Sequence, residues 1–193
     1  MLNKCQAKLS LQSNDIRKRV HLVQGNMINF SIDRVFSMIT IPYNTFQHLV
    51  AIEEQKACLD CVHNHLADNG RFVLDVFNPD FSRLYDSKYQ QEQVVFADMK
   101  LPDDRILSVS SRVVSFHRSQ QVNDIELIYY VRHPNGRQER VVQAFPFRYF
   151  FRYEVEHLLN LCGFEVAEYF GDYDRSTYSD RSPKMIFVAK TAL

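Results

Sequence analysis

Two periodicities divide the chain. Between Val20 and Phe77 the apolar runs are short and nearly unbroken. Val35-Phe36-Ser37-Met38-Ile39-Thr40-Ile41 ends at Pro42, and Arg71-Phe72-Val73-Leu74-Asp75-Val76-Phe77 ends at Asn78-Pro79. Runs of this kind suit strands buried on both faces. Between them Glu53 to Leu66 carries a helical pattern, with Ala67-Asp68-Asn69-Gly70 as its stop signal. Strand, helix and strand within about forty residues predict one parallel βαβ unit. Val20-His21-Leu22-Val23 predicts a shorter strand, closed by the turn residues Gly25 and Asn26. Ahead of it Leu2, Cys5, Leu9 and Leu11 suit the end of an amphipathic helix.

The middle of the chain changes to period two. Ile106 to His117, Val122 to His133 and Gln138 to Phe145 read as strands, with Ile125, Leu127, Tyr129 and Val131 sharing one face. Pro134-Asn135-Gly136 supplies a hairpin turn, because Asn-Gly tolerates positive φ. Leu101-Pro102-Asp103-Asp104 opens the set. The expectation is an antiparallel sheet of three or four strands inserted into an α/β protein. Glu154 to Leu161 then predicts a helix with Gly163 at its C′ position, and Phe164–Tyr169 and Lys184–Ala189 predict two closing strands. The organisation expected is a core over residues 1–91, a β insertion over 92–147, and a returning helix and strand pair over 148–193.

Charge and composition narrow the function. Lys+Arg and Asp+Glu are both 23, so no field of one sign exists to hold a phosphate backbone. Nucleic acid is therefore not an expected partner. The five glycines stand alone, at Gly25, Gly70, Gly136, Gly163 and Gly171, so no glycine-rich nucleotide loop can be drawn. Four irregularly spaced cysteines do not make a disulfide scaffold. Val35 to Ile52 lacks Asp, Glu, Lys and Arg but contains Pro42, Asn44, Gln47 and His48, so it reads as strand plus loop and not as a membrane span. No signal-like apolar stretch opens the sequence, and a cytoplasmic location is expected.

Three stretches carry a family resemblance. Val20-His21-Leu22-Val23-Gln24-Gly25-Asn26-Met27, Ile41-Pro42-Tyr43-Asn44-Thr45-Phe46-Gln47-His48-Leu49, and the run from Phe151 through Val166 with Ser182 to Ala189 resemble class I S-adenosylmethionine-dependent methyltransferases. The Asn-x-Phe-x-His-Leu pattern is especially similar to glycine N-methyltransferase and its bacterial relatives. The resemblance implies S-adenosylmethionine as cofactor and a small-molecule methyl acceptor. It implies that Gly25, Asn26 and Met27 face the adenine and that Ile41 and Tyr43 lie along the methionine end. Asn26 stands where the family usually has Asp, and its amide oxygen still accepts a hydrogen bond. The family's first strand, glycine-rich loop and acidic ribose residue would precede residue 1. The fold expected is therefore α/β, a partial Rossmann-like methyltransferase sheet with its first two strands missing, plus the antiparallel insertion.

The candidate chemistry follows. Methyl transfer from a sulfonium is an in-line displacement, for which a protein aligns the groups and sometimes removes a proton. Open α/β sheets bind ligands at the carboxyl ends of their strands. Asn44 and His48 are the expected catalytic pair, Asn44 orienting a carboxylate or amine and His48 orienting or accepting a proton. Phe46 and Asn78 are the expected substrate contacts. His48 equally suits a loop histidine that bonds only backbone, and Asn26 and Met27 equally suit turn and core positions. Asp75, a carboxylate in an apolar strand, reads as structurally paired. Cys58-x-x-Cys61-x-His63-x-His65 superficially suggests zinc, but ligands so close on one helix do not close a tetrahedral site, and no metal is expected. The aromatic run from Phe145 to Tyr153 reads as packing of the insertion on the core.

Two further expectations concern partners. The missing first strand would leave Val35–Ile41 as an open edge, a template for dimerisation. The strand at Val20–Val23 has only about eleven residues to cross back to it, barely enough for a parallel connection. The alternative to an enzyme is a non-catalytic methyltransferase remnant that binds a partner.

Overall fold

Leu66 follows directly on the last turn of a helix, and this junction builds the core. The computed structural model describes residues 2–192. In chain order these form α1 (Leu2–Ser10), α2 (Asn14–Arg19), β1 (Phe36–Ile41), a 3-10 turn (Thr45–His48), α3 (Ile52–His65) and β2 (Leu66–Phe77). There follow α4 (Phe81–Tyr85), β3 (Gln93–Lys100), β4 (Ile106–His117), β5 (Val122–Arg132), β6 (Gln138–Arg148), α5 (Arg152–Leu161), β7 (Phe164–Phe170) and β8 (Lys184–Thr191). No helix among the described residues is long and apolar enough to cross a membrane.

The βαβ unit forms, but β1 is not buried on both faces as its apolar run suggests: Ser37, Met38 and Thr40 are exposed and only Ile41 is buried, because β1 is an edge strand. β1 and β2 pair in parallel, with Ile39 opposite Phe72 and Ile41 opposite Leu74. α3 buries Gln55, Cys58, Leu59, Val62 and His65, a stripe at helical spacing. Ala67 to Gly70 does not end the helix as expected. It belongs to β2, where the register slips between Phe36 opposite Leu66 and Met38 opposite Arg71. β8 pairs antiparallel with the other side of β2, and β7 lies beyond it, giving the order β1-β2-β8-β7. Phe72, Leu74, Val76, Met185 and Phe187 form the centre of the core with Leu59, Val62, Leu159 and Phe164. Each such side chain contributes about 1.5–3 kcal/mol by leaving water.

β3 to β6 form a second, wholly antiparallel sheet in sequence order. Gly136 at φ 83° makes the β5–β6 turn, its N–H donating to the His133 carbonyl at 3.0 Å. Leu101 to Asp104 does not open the set. It is the turn between β3 and β4, closed by the Leu101 N–H on the Arg105 carbonyl at 2.8 Å. α5 ends as expected, with Gly163 at φ 80° just beyond Cys162.

The N-terminal expectation fails at one point. Val20–Val23 is not a strand, and residues 20–35 form no helix or strand. A strand exists only as one side of a ladder, and its backbone groups are otherwise satisfied by water. β1 pairs with β2 alone among the described residues, so its other edge is open. The chain arriving at β1 is too short to lay residues 20–23 along that edge in parallel. α1 and α2 form, but neither buries a residue.

Candidate functional site

The carboxyl end of β1 makes a turn that costs backbone energy. Tyr43 and Asn44 both have left-handed backbones, at φ 60° and φ 57°. For residues with a Cβ this conformation costs roughly 1–2 kcal/mol each, least for Asn. The compensation comes from the next strand. Asp75, only 2% exposed, accepts three hydrogen bonds on Oδ2. The donors are the Asn44 backbone N–H at 3.2 Å, the Tyr173 hydroxyl at 2.9 Å and the Lys184 ammonium at 3.0 Å. Lys184 also donates to Asn44 Oδ1 at 3.3 Å, and its Nζ lies 5.0 Å from the centre of the Tyr173 ring. Burial works against the Lys184 ammonium, but the hydrogen bond and charge of Asp75 outweigh it and raise the lysine pKa. Burial, with the hydrogen bond to Asp75 second, raises the Tyr173 phenol.

The turn continues into the 3-10 segment, whose two middle side chains are buried and whose two end ones are exposed. Phe46 is fully buried against Phe150, with ring centres 5.7 Å apart. Gln47, also fully buried, accepts from the Phe77 backbone N–H at 2.9 Å and donates to the Arg148 carbonyl at 2.7 Å. One side chain thereby ties the turn to the end of β2 and to the end of β6. His48 faces outward between Phe145 and Phe147, at ring distances of 5.0 and 5.2 Å. Phe77 stacks on Phe147 at 5.8 Å, completing an aromatic wall. Partial desolvation lowers the His48 pKa below its ordinary 6.5, so the neutral imidazole, a proton acceptor, prevails near pH 7.

The two expected substrate contacts, Phe46 and Asn78, are both engaged by the chain itself. Phe46 has no exposed surface to offer a ligand. Asn78 donates from its amide to the Ser182 carbonyl at 2.9 Å and accepts from the Tyr178 hydroxyl at 3.1 Å. Both ends of its carboxamide therefore hold the loop before β8. Tyr43 is 81% exposed with its ring 6.4 Å from that of Tyr173, and Ile41 is buried as the last residue of β1. The structure gathers Tyr43, Asn44 and His48 at one strand end.

Gly25, Asn26 and Met27 stand outside that group of contacts. The Asn26 side-chain oxygen accepts from the Ile28 N–H at 3.3 Å, closing its own turn, and Met27 packs on the core. The segment is tethered further along, where the Ile32 N–H donates to His65 Nε2 at 3.0 Å. His65 Nδ1, 2.7 Å from the Cys61 carbonyl, must then carry the proton. That use of His65, and Cys58 buried with its thiol pushed up to about 12 by desolvation and Cys61, describe packing groups. No three His, Cys, Asp or Glu side chains among the described residues group as metal ligands.

Sequence reading missed Lys184, Tyr173, Gln47 and Phe77. Asp75 itself was the available signal, since a carboxylate in an apolar strand calls for a cation. Asp75 pairs with Ile186 across the β2–β8 ladder, and Lys184 lies two residues along β8 on the same face.

No protein-family profile and no curated protein matches the sequence. Solved structures do match the fold. The CcbJ methyltransferase from Streptomyces caelestis is 21% identical at a TM-score of 0.76, covering 100% of this chain and 75% of its own. An S-adenosylmethionine-dependent methyltransferase from Clostridium acetobutylicum is 17% identical at a TM-score of 0.71, covering 97% and 72%. CalS10 from Micromonospora echinaspora, an amino pentose methyltransferase with S-adenosylmethionine bound, is 21% identical at a TM-score of 0.61, covering 96% and 71%. The chain has the α/β fold of class I S-adenosylmethionine-dependent methyltransferases, with a second antiparallel sheet.

Proposed function

We propose that this chain forms the acceptor-facing part of an S-adenosylmethionine-dependent methyltransferase for a small molecule. The observation that carries the reading is the left-handed Tyr43–Asn44 turn, held in place by a buried carboxylate at the carboxyl end of β1. Strain retained at a strand end where such sheets bind ligands marks a functional position. CalS10, similar in fold, is described as holding S-adenosylmethionine, and several other structures of this fold methylate sugars or glycopeptides.

The residues present fit one end of the cofactor. The exposed Tyr43 ring, with Tyr173 beside it, offers the electron-rich faces that attract a cation such as a sulfonium. The five glycines of the chain stand alone, so no glycine-rich run is among these 193 residues. When bound, the cofactor supplies an electrophilic methyl group. Asn44 orients the acceptor, the aromatic wall of Phe77, Phe145 and Phe147 excludes water, and neutral His48 takes the proton released when an amine is methylated. Within this reading residues 92–147 act as an inserted unit, Gly25 to Met27 serve the adenine end, and the protein works in the cytoplasm. The Asn-x-Phe-x-His-Leu pattern assigns it to a branch similar to glycine N-methyltransferase.

Calorimetry with S-adenosylhomocysteine tests the reading. Two charge-assisted hydrogen bonds to ribose, worth about 1.5–3 kcal/mol each, account for some two to four orders of magnitude in affinity, and within this reading the chain alone does not make them. Weak, saturable binding is expected. No binding at millimolar ligand overturns the cofactor assignment, and low-micromolar binding overturns the inference that ribose contacts are lacking.

A second reading rests on the open edge of β1, where Val35 and Met38 are 62% and 61% exposed. On this reading the chain is a non-catalytic module, or a homodimer, that pairs another strand there. Sedimentation over a range of concentrations separates a dimerising edge from a monomer.

A further inference from the structure

The chain is neutral as a whole, but its charge is unevenly placed. Residues 1–32 hold five basic side chains, Lys4, Lys8, Arg17, Lys18 and Arg19, and one acidic, Asp15. They carry a net +4, which leaves −4 on the rest of the chain. In α1 the spacing i, i+3 and i+7 puts Leu2, Cys5 and Leu9 on one stripe, and Lys4 and Lys8, a turn apart, run along its flank. α2 adds Arg17, Lys18 and Arg19 in its last turn. Of the five bases only Arg19 forms an ion pair among the described residues, with Asp15 at 3.1 Å. Both partners are largely exposed, and such a pair contributes little.

Helices of nine and six residues do not persist in water on propensity alone, and helices in proteins are held mainly by packing an apolar face. α1 and α2 have local support. The Ser13 side chain accepts from the Ile16 N–H at 3.4 Å, and bases occupy both last turns. Yet neither helix buries a residue, and Leu11 between them is 84% exposed. The cover that these helices lack must be both apolar and anionic. A nucleic acid supplies the charge but nothing apolar for the stripe. An anionic bilayer supplies both, and it repels the −4 remainder, so that the basic arm is the part turned toward it.

We propose that residues 2–23 form a basic amphipathic arm that seats this protein on an anionic lipid surface. The stripe of α1 enters the boundary between headgroups and acyl chains, and the lysines and arginines lie along the headgroups with their aliphatic stems against the apolar side. The inference is independent of the methyltransferase reading, whose site lies at the carboxyl end of β1.

The test uses the full 193-residue chain with unilamellar vesicles of phosphatidylcholine, alone or with phosphatidylserine added. Co-sedimentation should show binding to the anionic vesicles at about 0.1 M salt, its loss near about 1 M salt, where the Debye length falls to about 3 Å, and none to phosphatidylcholine alone. Each base removed should weaken binding about fivefold, so Lys4→Gln with Lys8→Gln should weaken it about 25-fold. Leu9→Gln should weaken it at least about fivefold. The chain has no tryptophan, so the emission of Leu9→Trp reports α1 alone and should shift to the blue on anionic vesicles. None of these residues belongs to the core, and an unchanged thermal midpoint confirms that each variant is folded. Equal binding to both vesicles, undiminished binding in Lys4→Gln with Lys8→Gln, or an unshifted Leu9→Trp emission in the bound protein overturns the proposal. So does binding of a DNA duplex or of polyglutamate that matches vesicle binding and is indifferent to Leu9→Gln, since the arm then reads charge alone.

Discussion

The segments on either side of β1 are built in opposite ways. After the strand, Tyr43 to His48 adopts an unfavourable backbone and is held by a buried ion pair, a buried glutamine and a core phenylalanine. Before it, residues 20–35 keep ordinary backbone angles but form no ladder, and a single N–H on His65 joins Ile32 to α3. The apolar residues of 20–23 stay open, with Val23 62% exposed, while Met27 and Ile28 only half bury against the core. The difference teaches that apolar β-branched sequence is not sufficient for a strand. What matters is whether a neighbour with a vacant edge lies within reach. The turn after β1 has β2 and β8 beside it, whereas residues 20–23 before β1 have no strand within reach.

Substitutions should break this contrast unevenly. Asp75→Ala leaves Lys184 charged and unpaired in a mostly buried place, and removes the anchor of Asn44. A loss of about 3–5 kcal/mol in urea unfolding is expected. Gln47→Ala strands the Phe77 N–H and the Arg148 carbonyl together, and should cost about 2–3 kcal/mol with weakened docking of the second sheet. His65→Ala frees Ile32 and should cost about 1–2 kcal/mol, with faster hydrogen exchange confined to residues 26–35. Leu22→Ala should change stability by less than about 0.5 kcal/mol. If Leu22→Ala costs as much as Gln47→Ala, residues 20–23 are packed in solution and the contrast is wrong.

Acid should act on the built side through His48. Its folded pKa is lowered, so the unfolded chain binds the proton more readily. The stability linked to His48 is therefore fully present above the ordinary value of 6.5 and is lost as pH falls through 6.5 toward the lowered folded value. His48→Gln should remove that part of the pH dependence while barely altering stability at pH 8. In an active, cofactor-competent form, Asn44→Ala and His48→Ala should reduce turnover more than stability. Rates within about twofold of wild type, under 0.5 kcal/mol of barrier, would make both residues structural.

Much of the fold was legible because it is local. The βαβ unit, the hairpin at Asn135-Gly136 and the helix stop at Gly163 each follow from residues close in sequence. The strand at Val20–Val23 was misread because its existence depends on a neighbour and not on its own composition. At the turn after β1, a short pattern draws attention to Asn44 and His48, while nothing local points to Lys184 and Tyr173. They reach Asp75 from about a hundred residues away, through a ladder register that periodicity does not reveal. Phe46 faces the core and Asn78 faces the Tyr178–Pro183 loop, orientations that a short pattern beside a turn does not reveal.

The central claim is that the turn from Tyr43 to His48 is where the methyl donor's reactive end meets the acceptor. A nitrogen-15 backbone titration with S-adenosylhomocysteine tests it most directly. Saturable shifts are expected, concentrated on Tyr43 to His48 and on Asp75 to Phe77, with half-saturation above about 100 µM, equivalent to binding weaker than roughly 5.5 kcal/mol. Millimolar ligand that leaves those amides unmoved, or that shifts only amides elsewhere such as α5 and β7, would contradict it.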